Sequence, residues 1–168
     1  PLSFYVNDSS TNGDVYTTAI GSAGNSGALP SAPKASLLTL LSTYGLEPGD
    51  AVYVDSGAYT LSQEVLINEF DGGTAASPLV IQGSTNPAAP TVFTRSGGTY
   101  GFRVTDTKGV KLRNFSLSGA SIGVLVNNAD DTTLEWINLA GGSGGFQVSQ
   151  SDRCIMRHCL ARNASSYG

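Results

Sequence analysis

Three stretches of the chain align without a gap. GFRVTDTKGVKLRNFSLSGASI covers 101–122, GVLVNNADDTTLEWINLAGGSG covers 123–144 and GFQVSQSDRCIMRHCLARNASS covers 145–166, each 22 residues long. Tyr167-Gly168 begins a fourth, as Tyr100-Gly101 begins the first. The columns agree in chemistry. Phe102, Val124 and Phe146 fall together, as do Val104, Val126 and Val148; Leu112, Leu134 and Met156; Phe115, Ile137 and Cys159; and Leu117, Leu139 and Ala161. A fixed period of this length marks a solenoid. The spacing does not suit an amphipathic helix. Each unit instead holds three short alternating pieces, first at 102–104, 110–112 and 115–117, with only Arg113-Asn114 between the last two. That pattern predicts one turn of a three-sided tube. Each side pairs in parallel with the same side of the next turn, and inward side chains stack about 4.8 Å apart. Asn114 suits a tight corner because Asn tolerates left-handed backbone angles; Trp136 and His158 occupy the same corner and suit it less well.

On these columns the chain resembles the right-handed parallel β-helix proteins of the pectate-lyase-like superfamily, from about residue 50 onward. The expected fold class is all-β, a right-handed parallel β-helix of 22-residue coils with an N-terminal α-helical cap. Residues 1–49 form the leader and cap, and residues 50–168 form the coils of one structural domain. The cap is read from PKASLLTLLSTY (33–44), where Leu37, Leu38, Leu41 and Tyr44 follow helical spacing. Pro33 suits its first turn and Gly45 its C-terminal cap. Such a helix hides the open end of a tube and its unpaired strand edges.

PGDAVYVDSGAYTL (48–61) and SPLVIQGS (77–84) are similar to the first coils of secreted bacterial β-helix proteins, polysaccharide lyases of the chondroitinase-B and alginate-lyase type among them. The stretch FYVNDSSTNGDVYTTAIGSAGNSGALPSAPKASL is similar to the leader of such lyases and of very large, repetitive bacterial surface proteins. The resemblance implies a secreted or cell-surface location and carbohydrate contact or adhesion. The first functional expectation is a non-catalytic module with a structural, adhesive or glycan-binding role. The alternative is a polysaccharide lyase or related carbohydrate-active enzyme acting on acidic polysaccharide.

Composition sets the outer bounds. The chain has 168 residues, 40% of them hydrophobic, which is enough for a core. No apolar run reaches the ~20 residues of a membrane span. The opening PLSFYVNDSS lacks a basic region followed by an apolar run. Either a signal peptide has been removed or the chain is a piece of something longer. Charge is uneven. Residues 1–94 carry eight acids and the single base Lys34, whereas residues 95–168 carry eight bases and five acids. The basic half suits acidic polysaccharide as a partner. No dense basic stripe with interleaved aromatics points to nucleic acid.

β-Helix lyases take a proton from beside a uronate carboxylate, with Lys or Arg as base and a cation to neutralise the carboxylate. Lys111, Arg113 and Arg157 are the catalytic candidates. Arg113, Glu135 and Arg157 also form a plus–minus–plus ladder that would hold strand register, each exposed pair contributing ~0–1 kcal/mol. Trp136, Arg103, Arg113 and His158 are the glycan-binding candidates. No cofactor is expected, although stacked Asp130 and Asp152 are weak Ca²⁺ candidates. Cys154 and Cys159 fall in inward columns flanking the corner and read as two small buried hydrophobes, with a disulfide geometrically allowed. After Tyr167-Gly168 no capping element follows. The expectation is an N-terminal piece of a longer β-helix, or an open end that pairs with another chain in end-to-end self-association.

Overall fold

The computed structural model describes residues 1–163 and Ser165. The chain is mostly β, with parallel sheets and one short helix. Its elements are β1 (Ser3–Val6), α1 (Leu37–Thr43), β2 (Ala51–Val54), β3 (Gly57–Leu61), β4 (Val65–Ile67), β5 (Leu79–Gln82), β6 (Thr91–Arg95), β7 (Tyr100–Lys108), β8 (Val110–Ser118), β9 (Ile122–Asp130), β10 (Thr133–Ala140), β11 (Gly144–Ser149), β12 (Ile155–Arg157) and β13 (Leu160–Arg162).

Every strand pairing among the described residues is parallel, and the strands form three stacks. The first runs β1-β2-β5-β8-β10-β12. The second runs β3-β6, then the later halves of β8 and β10, then β13. The third runs β4-β7-β9-β11. From β2 onward the chain visits first, second and third stacks in that order, again and again. β8 and β10 each cross from the first to the second stack without ending as strands.

Pairing follows the columns read from the sequence. Val126 pairs with both Val104 and Val148, and Leu134 with both Leu112 and Met156. The file also runs further back than the regular segments, through Phe4, Val52 and Ile81 to Leu112. Phe4, Val52, Ile81, Leu112 and Leu134 are buried, which removes a continuous apolar wall from water at ~25 cal/mol per Å². Phe93, Phe102 and Phe115 fill the middle of the core, with ring centroids 4.8–5.4 Å apart. Val148 and Met156 keep register but are 44% and 49% exposed, since no described strand pairs beyond them. The fourth unit expected to begin at Tyr167-Gly168 lies outside the described residues.

The corners explain how short pieces become continuous strands. Asn114, Trp136 and His158 have φ of 60°, 55° and 54°, so all three take the left-handed corner, including the two less suited to it. Further left-handed columns appear at the same offset: Asp106, Asn128 and Gln150; Gly109, Asp131 and Arg153; Gly119, Gly141 and Asn163. For residues other than Gly or Asn this conformation costs ~1–2 kcal/mol each. The cost is met because the parallel ladders on both sides fix the direction of the chain.

The helix is shorter than the sequence pattern predicts. It starts after Ser36, so Pro33 precedes it instead of sitting in its first turn. It ends on Tyr44 in extended geometry (φ −125°), not on a left-handed Gly45. Leu37 and Leu40 are its buried residues, while Leu38, Leu41 and Tyr44 are half-buried. Tyr44 packs on Phe4 of β1 at 4.6 Å, so the leader supplies both a helix and the outermost strand of the first stack. Residues 14–17 are tied to the corner between β2 and β3 by Asp55. Its wholly buried carboxylate accepts from the backbone N–H of Val15 (2.7 Å), Tyr16 (2.8 Å), Thr17 (2.7 Å) and Ser56 (2.9 Å), and from the Thr17 hydroxyl (2.9 Å).

Candidate functional site

The corner that carries Asn114, Trp136 and His158 forms one wall of an open groove of about 850 Å³. The opposite wall is the loop 84–90, and the floor is the outer face of the second stack, where Ser116, Asn138 and Leu160 lie side by side. The loop is held in place from within. Ser84 N–H donates to the Thr91 hydroxyl (2.7 Å), and Asn86 N–H and Ala88 N–H donate to the Ser84 hydroxyl and the Asn86 side chain at 3.1 and 3.0 Å. The side chain of Asn86 donates to Gly13 O at 3.3 Å.

Trp136 and His158 stack face to face, with centroids 4.0 Å apart and planes 10° from parallel. Trp136 is 56% exposed. Its second face looks along the corner toward Asn114, and beyond Asn114 lies Gly83. A Cβ built on Gly83 would meet Asn114 O at 2.0 Å, so the backbones touch there and no side chain intervenes. Side-chain size therefore steps along the corner from nothing, to Asn, to Trp and His, leaving a notch beside the free indole face. The side chains of Asn114, Asn138 and Ser116 form no hydrogen bond among the described residues. Among the described residues neither Lys, Arg, Asp nor Glu lines the groove.

The charged candidates lie on other faces. Lys111, Arg113, Glu135 and Arg157 are on the outside of the first stack, across the corner from the groove. The ladder there is only half closed. Arg157 is bonded to Glu135, whereas Arg113 stands in register with Glu135 and, among the described residues, forms no ion pair and leaves its buried Nε unpartnered. Glu135 is also buried, contrary to the expectation of an exposed ladder. The same row continues through Gln82 to Tyr53 and Tyr5, whose rings stack 5.7 Å apart.

Arg103 belongs to the third stack and is engaged by Glu64 at 2.7 Å, with its guanidinium 5.8 Å from the centre of the Tyr100 ring. Of the two calcium candidates, Asp130 accepts the backbone N–H of Asp152 at 2.8 Å and lies 3.5 Å from Arg153. Arg153 is bonded more closely to Asp131, at 2.6 Å, and holds that carboxyl below its ordinary range. Among the described residues no group of three or more His, Cys, Asp or Glu side chains is arranged to hold a metal ion. Cys154 and Cys159 are free and half-buried, and burial pushes the Cys159 thiol up.

The structure thus brings Trp136 and His158 together and leaves Arg103 and the Lys111–Arg157 row elsewhere. Sequence reasoning passed over Asn138, Ser116 and the loop 84–90. Pro87 and Pro90 mark that loop as a turn, but nothing in their spacing says that it faces the corner.

No protein-family model matches the chain, and no curated protein matches it. Two solved structures are similar to it. One is the crystal structure of a GH136 lacto-N-biosidase from Eubacterium ramulus, at 15% identity and a TM-score of 0.67, covering 95% of this chain and 34% of that one. The other is a rhamnogalacturonan lyase, at 14% identity and a TM-score of 0.55, covering 99% of this chain and 53% of that one. The chain spans about a third of the first and about half of the second, and what it shares with them is the fold.

Proposed function

We propose that the chain is a right-handed parallel β-helix module, capped by its leader, secreted or displayed at a cell surface, that binds glycan. The observation that carries this reading is the groove. It combines an exposed, pre-stacked aromatic platform at Trp136 and His158 with amide and hydroxyl groups that have no hydrogen-bond partner among the described residues. Sugar rings present an apolar C–H face and a polar edge, and such a groove offers a counterpart to each. The names of the two similar structures, a biosidase and a lyase, support a carbohydrate-related role. A glycan array probed with the labelled chain tests it: several related oligosaccharides are expected to bind, and an array without signal would refute it.

The alternative is a lyase acting on acidic polysaccharide. Lys111 and Arg113 favour it, as outward cations of one row with no ion-pair partner among the described residues. Ultraviolet absorbance of unsaturated product from pectate, alginate or chondroitin would establish it. The exposed edge at Val148, Ile155 and Met156 supports a further role in pairing with more β-helix coils or with a second chain.

A further inference from the structure

We propose that the groove takes an uncharged pyranose, held in the notch beside Trp136, and binds it without cleaving it. This rests on the glycan-binding reading and narrows it to one ligand chemistry.

The notch has the thickness of one strand layer. Successive parallel strands lie ~4.8 Å apart, so Asn114 and Trp136 are one such step from each other. Asn114 carries a much smaller side chain than Trp136, and Gly83 contributes none to the next layer. A single sugar ring laid against the free face of the indole occupies the layer that Asn114 leaves open. The other indole face is already covered by His158, so the platform is fixed before the ligand arrives and little ordering is needed on binding. With the ring stacked, its edge hydroxyls meet the Asn114 amide at the corner, and Asn138 and Ser116 on the floor take a neighbouring residue of the glycan.

Charge decides the class of sugar. A uronate carboxylate entering the groove would lose water without a cation to replace it, a net cost. Lys111, Arg113 and Arg157 lie across the corner on another face. The same absence of charge speaks to chemistry. Glycoside hydrolysis works through a pair of carboxyl groups flanking the bond, and no Asp or Glu among the described residues lines the groove. Elimination beside a uronate works through a positioned base and a cation, and among the described residues the groove's titratable side chains are His158 and Cys159.

Isothermal titration of the chain with cellotetraose and β-1,4-galactotetraose, against tri-galacturonate and a guluronate trimer, tests this together with two variants. Trp136→Asn puts at the corner the residue type that Asn114 already shows to be accommodated there, so folding is preserved and thermal melting verifies it. Asn138→Ala removes an exposed floor amide. At least one neutral tetrasaccharide is expected to bind, about tenfold more weakly to Trp136→Asn and severalfold more weakly to Asn138→Ala, while the uronates bind less tightly. Neutral binding undiminished in Trp136→Asn would overturn the notch. Uronate binding that Lys111→Gln abolishes and Trp136→Asn spares would also overturn it, yet leave the glycan-binding role standing. Failure of all four sugars, with an empty array, would remove both.

Discussion

Asp55 offers the sharpest test of how the leader is attached. In Asp55→Asn, one oxygen still accepts from Val15 and Ser56 N–H, but the other position becomes an amide N–H₂ facing the N–H groups of Tyr16 and Thr17 and the Thr17 hydroxyl. Three acceptor contacts are lost and two become neutral. Hydrogen bonds to a charged group contribute ~1.5–3 kcal/mol each, and a buried donor left without a partner costs ~1–3 kcal/mol. Residues 14–17 can recover part of this by lifting into water, which leaves an expected net loss of about 3–5 kcal/mol, a large share of the ~5–15 kcal/mol typical of a domain. Urea unfolding should show the unfolding free energy fall by that amount, with a lower midpoint at unchanged slope. Hydrogen exchange should lose protection first at the amides of Val15, Tyr16 and Thr17. A loss below about 1 kcal/mol, or unchanged protection at those three amides, would mean that the leader is held by its apolar contacts and not by this carboxylate.

Glu135→Lys places a third cation between Arg113 and Arg157 in a buried position, and should lower stability by ~3–5 kcal/mol in thermal melts; an unchanged melting temperature would contradict the buried pairing. Asp14 is raised above its ordinary value chiefly by burial, with the Asp55 charge adding to it. Its raised folded-state pKa means that ionisation opposes folding at neutral pH, and that this penalty fades as pH falls through the folded pKa toward the ordinary 3.8. Asp14→Asn should therefore be at least as stable as the parent at pH 7, with an advantage that vanishes in acid. Urea melts showing a deficit of equal size at both pH values would sink that account.

Much of the strand pairing was legible because it is encoded one residue at a time. Val104, Val126 and Val148 share a face and a period, and parallel pairing preserves both. Asn114 announced its corner through its backbone tolerance. Trp136 and His158 did not, because their left-handed angles are imposed by neighbouring ladders and not by their own preference. The same holds for β1 and the Asp55 clasp. FYV alternates like many surface segments, and an Asp followed by Ser-Gly gives no sign that the amides of residues 15–17 will converge on it from 38–40 positions away. The helix was overextended because leucine spacing marks a face and not its ends. The groove was half legible: its aromatic wall lies within the periodic region, whereas its opposite wall is an irregular loop that no period describes.

The left-handed columns also govern how this chain can change length over evolution. Deleting residues 123–144 as a block would join Ile122 to Gly145 and deliver every tolerant residue to a bend that needs one. Removing one residue more or fewer would bring Cys159 or Arg157, instead of His158, to the bend that Trp136 now makes, and turn the interior outward at the same stroke. Growth and shrinkage by whole turns is thus the neutral path for such a molecule, and a reach adjusted in steps of one strand layer is what that path supplies.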